Sequence, residues 1–94
     1  MIKYLNSENE FDEAIKGGII VDFYADWCGP CKMLGNILEE TNFDILKVNV
    51  DEFKDIAIKY GIMSIPTLIK FENGQEVKKI IGLRTKDELV DELK

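Results

Sequence analysis

Residues 19–25, Ile-Ile-Val-Asp-Phe-Tyr-Ala, form the most nearly continuous apolar run of the chain. A run of that kind predicts a central strand covered on both faces, because a strand with one wet face would alternate. Alternation does appear at residues 45–51, where Leu46, Val48 and Val50 fall on one side, and it predicts a second strand. Residues 1–5 and 67–72 predict two more. Asn73-Gly74 is a type I′ turn signal, so residues 75–81 are expected to pair back antiparallel on the strand before them.

Between these segments the apolar spacing changes to three and four. Ser7 and Glu10 fit a capping box, Phe11, Ala14 and Ile15 follow at helical spacing, and Gly17-Gly18 ends the helix. A second helix is expected from Cys31 to about Thr41, with Met33, Leu34, Ile37 and Leu38 on one face and Gly35 and Asn36 weakening it. Phe53, Ile56, Ala57 and Tyr60 predict a third, stopped at Gly61. Thr85 and Glu88 form a capping box for a last one, with Leu89, Val90 and Leu93 inward. The order β-α-β-α-β-α-β-β-α predicts an α/β fold. Its centre would be a mixed sheet of about five strands, flanked on both faces by about four helices.

With 94 residues and neither repeat nor linker, the chain is expected to be one domain, residues 1–94, with a single core. A hydrophobic fraction of 46% and a charged fraction of 32% fit a folded chain and argue against disorder. No apolar run approaches the length of a membrane span, and residues 1–9 show no secretory signal, so a cytoplasmic protein is expected. The net charge of −6 disfavours nucleic acid, whose phosphates call for basic patches.

The chemistry sits in two cysteines, Cys28 and Cys31, spaced C-x-x-C. A bridge between them closes too small a loop to add much stability, which points to reactivity instead. The pair falls where the apolar strand gives way to a helix. Cys28 is then expected at the helix N-terminus and Cys31 in its first turn, where unpaired N–H groups and the helix dipole favour a thiolate. A free cysteine is only about 3% ionised at pH 7, whereas a C-x-x-C cysteine with pKa ~7 is about half ionised. Cys28 would attack a disulfide, and Cys31 behind it would resolve the mixed disulfide. Gly29-Pro30 between them, with no histidine, points to a reductant. Pro30 also suits a helix start for backbone reasons alone. Half of a metal site is the other use of C-x-x-C, but with no histidine and no third cysteine the chain would have to pool ligands from two copies. Asp22 is expected to be buried with a raised pKa, or else satisfied by backbone donors as a strand-end aspartate. Trp27, beside Cys28, is expected to cover it.

Residues 21–32, Val-Asp-Phe-Tyr-Ala-Asp-Trp-Cys-Gly-Pro-Cys-Lys, closely resemble the active-site segment of the thioredoxin family. A second signature of that family is residues 61–67, Gly-Ile-Met-Ser-Ile-Pro-Thr, and a third is Gly82 after the last strand. The resemblance covers essentially the whole chain. It implies the thioredoxin fold and a protein-disulfide reductase working through a reversible Cys28–Cys31 disulfide, with no metal or other cofactor. Trp27, Gly29, Pro30 and Lys32 would support the site. Pro66 would be a cis-proline facing the cysteines, although composition alone allows a trans-proline at a strand start. Asp22 would shuttle protons for Cys31, and Lys47 would tune it. Val50, Met63, Ser64, Ile65, Ile81 and Gly82 would line, with Trp27, an apolar groove for substrates. The implied partners are disulfide-containing target proteins and a thioredoxin reductase, with the chain acting as a monomer. Electrons must come from another protein, since no nucleotide-binding glycine motif is present.

The chain departs from the family in being shorter, chiefly between Leu38 and Ile45. Asn36 stands in place of a usual proline, Tyr24 in place of a frequent tryptophan, and Ser64 where glycine is common. Two rival readings belong beside the reductase. One is a glutaredoxin-like protein reduced by glutathione, which Gly29-Pro30 and Asp22 disfavour. The other is a binding module of the same fold, whose redox activity is incidental.

Overall fold

A computed structural model describes residues 1–94. Five strands form one sheet: β1 (Ile2–Tyr4), β2 (Ile19–Tyr24), β3 (Ile45–Asn49), β4 (Thr67–Glu72) and β5 (Gln75–Ile81), in the order β1-β3-β2-β4-β5. β3 runs parallel to both β1 and β2, while β4 is antiparallel to β2 and to β5. The helices are α1 (Phe11–Ala14), α2 (Gly29–Glu39), α3 (Lys54–Lys59) and α4 (Lys86–Leu93). Short 3-10 turns, Glu8–Glu10 and Ile15–Gly17, flank α1.

Two apolar clusters show why β2 is so uniformly hydrophobic. On one face Val21, Phe23, Val48, Ile69 and Phe71 pack with Phe11 of α1 and Ile56 of α3. On the other Ile20, Ile45 and Leu68 pack with Leu34 and Leu38 of α2 and with Leu89 and Leu93 of α4. Both faces of the sheet are therefore covered. Because side chains alternate along a strand, Asp22 and Tyr24 share the α2 face with Ile20, and Lys47 shares it with Ile45.

The turn chemistry follows the sequence. Asn73 and Gly74 both have positive φ, 54° and 79°, as a type I′ hairpin requires. Thr85 Oγ1 accepts from the Glu88 N–H at 3.2 Å while Glu88 Oε1 accepts from the Thr85 N–H at 2.9 Å, closing the capping box of α4. Thr85→Ala should cost about 1 kcal/mol, read as a lower denaturation midpoint. At the first helix the Glu10 carboxylate accepts from the Ser7 N–H at 3.0 Å, but the Glu10 N–H bonds the Ser7 carbonyl, so the chain enters α1 through a 3-10 turn.

Four expectations need correction. Met33 and Val90 are exposed, because the buried stripes are narrower than the apolar spacing suggested: Cys31, Leu34 and Leu38 on α2, and Leu89 and Leu93 on α4. Each outlier lies one residue, about 100° of helix turn, from the buried stripe. α2 begins two residues earlier than expected, at Gly29, with Cys28 as its N-cap residue. β3 stops at Asn49, whose side-chain oxygen accepts from the N–H groups of Asp51 and Glu52 at 2.9 and 3.2 Å and turns the chain out of the sheet.

Candidate active site

The site forms where β2 ends and α2 begins. The Cys28 N–H donates to the Ala25 carbonyl at 3.2 Å, which turns the chain after the strand. Cys28 and Cys31 are joined in a disulfide, with Cα atoms 5.2 Å apart. Both are buried with Ala25, and Tyr24, Val50 and Ile65 pack against them. The Cys31 N–H donates to Cys28 Sγ at 3.2 Å, so the Cys28 sulfur holds the place of a capping side chain. The same N–H would face a Cys28 thiolate after reduction, together with the positive end of the α2 dipole. Pro30, in the first turn of α2, lacks an N–H that the helix could not have paired.

Across from the cysteines, the Ile65–Pro66 bond is cis and the Ile65 carbonyl lies 3.9 Å from Cys28 Sγ. The Pro66 carbonyl accepts from the Gly82 N–H at 2.9 Å, which ties the third sequence signature to the second. The buried hydroxyl of Thr67, the last residue of the second signature, donates to the Ser64 carbonyl at 2.8 Å and braces the same turn.

A shallow depression of about 340 Å³ adjoins this turn, lined by Trp27, Val50, Ile62, Met63, Ser64 and Ile65. Met63 is 96% exposed there. Ile81 and Gly82 lie outside that lining: Ile81 pairs with Thr67 at the sheet edge and is itself exposed. Ile62 joins it, having been read only as part of the second signature. Trp27, next to the buried Cys28 in sequence, borders this depression. It is 72% exposed, and its Nε1–H donates to Asp51 Oδ2 at 2.8 Å. Asp51 gave no sequence signal, since nothing local pairs it with Trp27. A wider depression of about 590 Å³ runs along β1 and α1 and contains neither cysteine.

Asp22 is fully buried on β2, and neither carboxylate oxygen has a hydrogen-bond partner in the protein. The backbone donors of an ordinary strand-end aspartate are thus not what holds it. Lys47 Nζ lies 3.5 Å from Oδ2, an ion pair longer than a well-formed hydrogen bond. Burial pushes the carboxyl up from 3.8 to about 6, with the Lys47 charge pulling the other way. Lys47, Cys31 and Lys32 line one cavity of about 380 Å³ with Tyr4, Tyr24, Ala25 and Asp26. Gly29 is exposed at the start of α2. No group of three or more His, Cys, Asp or Glu side chains is arranged to hold a metal ion.

The arrangement can cycle between a disulfide and a dithiol, and known proteins share it. The thioredoxin family model matches residues 2–94. Thioredoxins of Staphylococcus epidermidis and Staphylococcus aureus are each 46% identical over 94 residues, covering 93% of this chain and 90% of the relative. A mutant thioredoxin from Halobacterium salinarum superposes with a TM-score of 0.89 at 36% identity, covering 98% of this chain and 87% of that one. Oxidized mitochondrial thioredoxin 3 from Saccharomyces cerevisiae gives 0.85 at 34% identity, covering 98% and 92%. The chain belongs to the thioredoxin family, whose members are thiol–disulfide oxidoreductases.

Proposed function

We propose that this oxidoreductase reduces disulfides of target proteins with Cys28 as the attacking thiolate and Cys31 as the resolving thiol. The observation that carries the assignment is the Cys31 N–H aimed at Cys28 Sγ from the start of α2, 3.2 Å away. It favours negative charge on Cys28 and not on Cys31. Cys28 S⁻ attacks one sulfur of the target disulfide, that S–S bond breaks, and one target thiolate leaves. Cys31 gives up its proton and attacks Cys28 Sγ, the mixed disulfide breaks, and the second target thiolate leaves. Two electrons pass to the target, and the Cys28–Cys31 disulfide is restored.

Asp22 accepts the Cys31 proton in the second step. Its carboxyl is poised near neutrality, and its partner Lys47 lines the same cavity as Cys31. Trp27, Val50, Met63, Ser64 and Ile65 seat the target beside Cys28, with Pro66 shaping the turn that presents Ile65. Gly29, Pro30 and Lys32 support the reactive turn; Ile81 and Gly82 extend the seat along the sheet edge.

The protein works as a single-domain monomer over residues 1–94, in the cytoplasm, with no cofactor beyond its own disulfide. A thioredoxin reductase recharges it. No helix is long and apolar enough to cross a membrane. The test is reduction of a protein disulfide with two donors in parallel. Turnover is expected with NADPH and a thioredoxin reductase, and little with glutathione. Turnover with glutathione alone would establish the glutaredoxin-like reading instead.

A further inference from the structure

Lys47 lies in an unusual setting for a lysine on an interior strand. β3 runs between β1 and β2, and its register sets Lys47 opposite Tyr4 on one side and Asp22 on the other. Tyr24 follows two residues after Asp22, on the same face of β2. The Lys47 ammonium lies 4.7 Å from the Tyr24 ring centroid and 5.7 Å from that of Tyr4, within cation–π range of both. The two rings meet edge to face, with centroids 6.1 Å apart. Above them, a Cβ added at Gly35 of α2 would come within 3.2 Å of Lys47 Nζ. The glycine that weakens α2 in sequence terms is a gap filled by the ammonium.

We propose that Tyr4 and Tyr24 are positioning residues, two ring faces that hold the Lys47 ammonium against Asp22 through the gap at Gly35. The need for such a clamp is geometric. Asp22 offers Lys47 a contact of 3.5 Å with no hydrogen bond from any other donor, and a lysine side chain has four torsions through which to swing away. Ring faces stabilise a cation without competing for its protons, so the ammonium stays available to the carboxylate. The position of Lys47 then sets how readily Asp22 ionises, and with it the acid–base step proposed for Cys31. The significance of the clamp rests on that proposed role, but its existence does not.

The charged and titratable groups around this ammonium are Asp22, Tyr24 and Asp26 on and after β2, Tyr4 on β1, and Cys31 and Lys32 on α2. β4 adds none at this level, since Leu68 faces Asp22.

The test is the titration of the Asp22 carboxyl by ¹³C NMR in the oxidised protein, which needs neither target nor reductase. Asp22→Asn identifies the signal, and Lys47→Met gives the upward shift expected when the ammonium is lost altogether. Tyr4→Leu and Tyr24→Leu keep apolar cover but delete a ring face. Each should raise the midpoint by about half a pH unit, part of the Lys47→Met shift. Tyr4→Phe and Tyr24→Phe keep the face and should titrate like the parent. In the Lys47→Met background the leucine substitutions should move nothing. Gly35→Ala should raise the midpoint while leaving the denaturation midpoint unchanged or higher, since alanine favours the helix.

Leucine variants that titrate like the parent, or shift equally without Lys47, would overturn the clamp. An unmoved midpoint in Gly35→Ala would overturn the role of the gap. Should Tyr24→Leu fail to fold, Tyr4→Leu, on a largely exposed edge residue, and Gly35→Ala decide the matter. Loss of disulfide reduction in the parent, with these shifts intact, would fail the proposed function and leave the clamp standing.

Discussion

Cys31→Ser should capture target proteins as a stable mixed disulfide through Cys28, whereas Cys28→Ser should leave target disulfides untouched. The two substitutions remove one sulfur each from the same small ring, so a purely structural role for the disulfide would make them equivalent. The site makes them different. In Cys31→Ser the backbone N–H of residue 31 remains, and it still points at Cys28 Sγ, 3.2 Å away in the parent. Thiolate character at Cys28 is therefore retained and the first attack proceeds. The second attack has no nucleophile, so the reaction halts after a single, stoichiometric event. In Cys28→Ser the remaining thiol is Cys31, buried and without an equivalent N–H donor aimed at it. Turnover should be abolished in both variants, and mass spectrometry of the products separates them. Equal trapping by the two would overturn the assignment of attacking and resolving thiols.

The parts of this molecule that sequence reveals are those whose cause is local. Asn73-Gly74 specifies its turn through the two positive φ angles it adopts. Thr85 and Glu88 satisfy each other's N–H groups three residues apart. The apolar run of β2 reports directly that both faces are covered. Cys28 and Cys31 are legible because a strand-to-helix junction and a C-x-x-C spacing coincide.

What sequence concealed depends on residues distant along the chain. Gly35 reads as a flaw in a helix until Lys47 is seen beneath it. Tyr4 lies on an edge strand and gains meaning only from the β1–β3 register. Trp27 is held by Asp51, beyond the end of β3, which accepts its N–H. Met33 and Val90 fit the helical spacing, yet both stay exposed. The apolar pattern says which residues can be buried, and the neighbouring element decides which are.

Asp22→Asn should make the protein more stable at pH 7.5 and slower in the resolving step, and the stability gain should vanish near pH 4. The carboxyl titrates at about 6 in the folded protein against 3.8 for an ordinary aspartate, because burial disfavours its charge more than Lys47 favours it. Below the lower value both folded and unfolded chains carry the neutral acid, and ionisation of Asp22 adds no pH dependence. As pH rises from about 4 to 6 the unfolded chain releases its proton first. The folded state then binds more protons than the unfolded one, so stability falls with pH across this window and levels off above it. A displacement from 3.8 to about 6 corresponds to about 3 kcal/mol of lost stability at neutral pH. Asparagine carries no such cost, and the favourable pull of Lys47 on the carboxylate is already contained in that displacement. A gain of up to about 3 kcal/mol at pH 7.5 is therefore expected. Denaturant midpoints of parent and variant, measured at pH 4 and 7.5, test it directly. The kinetic half follows from the same burial. With asparagine in place of the acid, the Cys31 proton has no buried acceptor, and release of the mixed disulfide should slow by up to about a hundredfold while the first attack changes little. A variant less stable than the parent at pH 7.5, with an unchanged resolving rate, would mean that the carboxylate of Asp22 serves the fold and not the reaction.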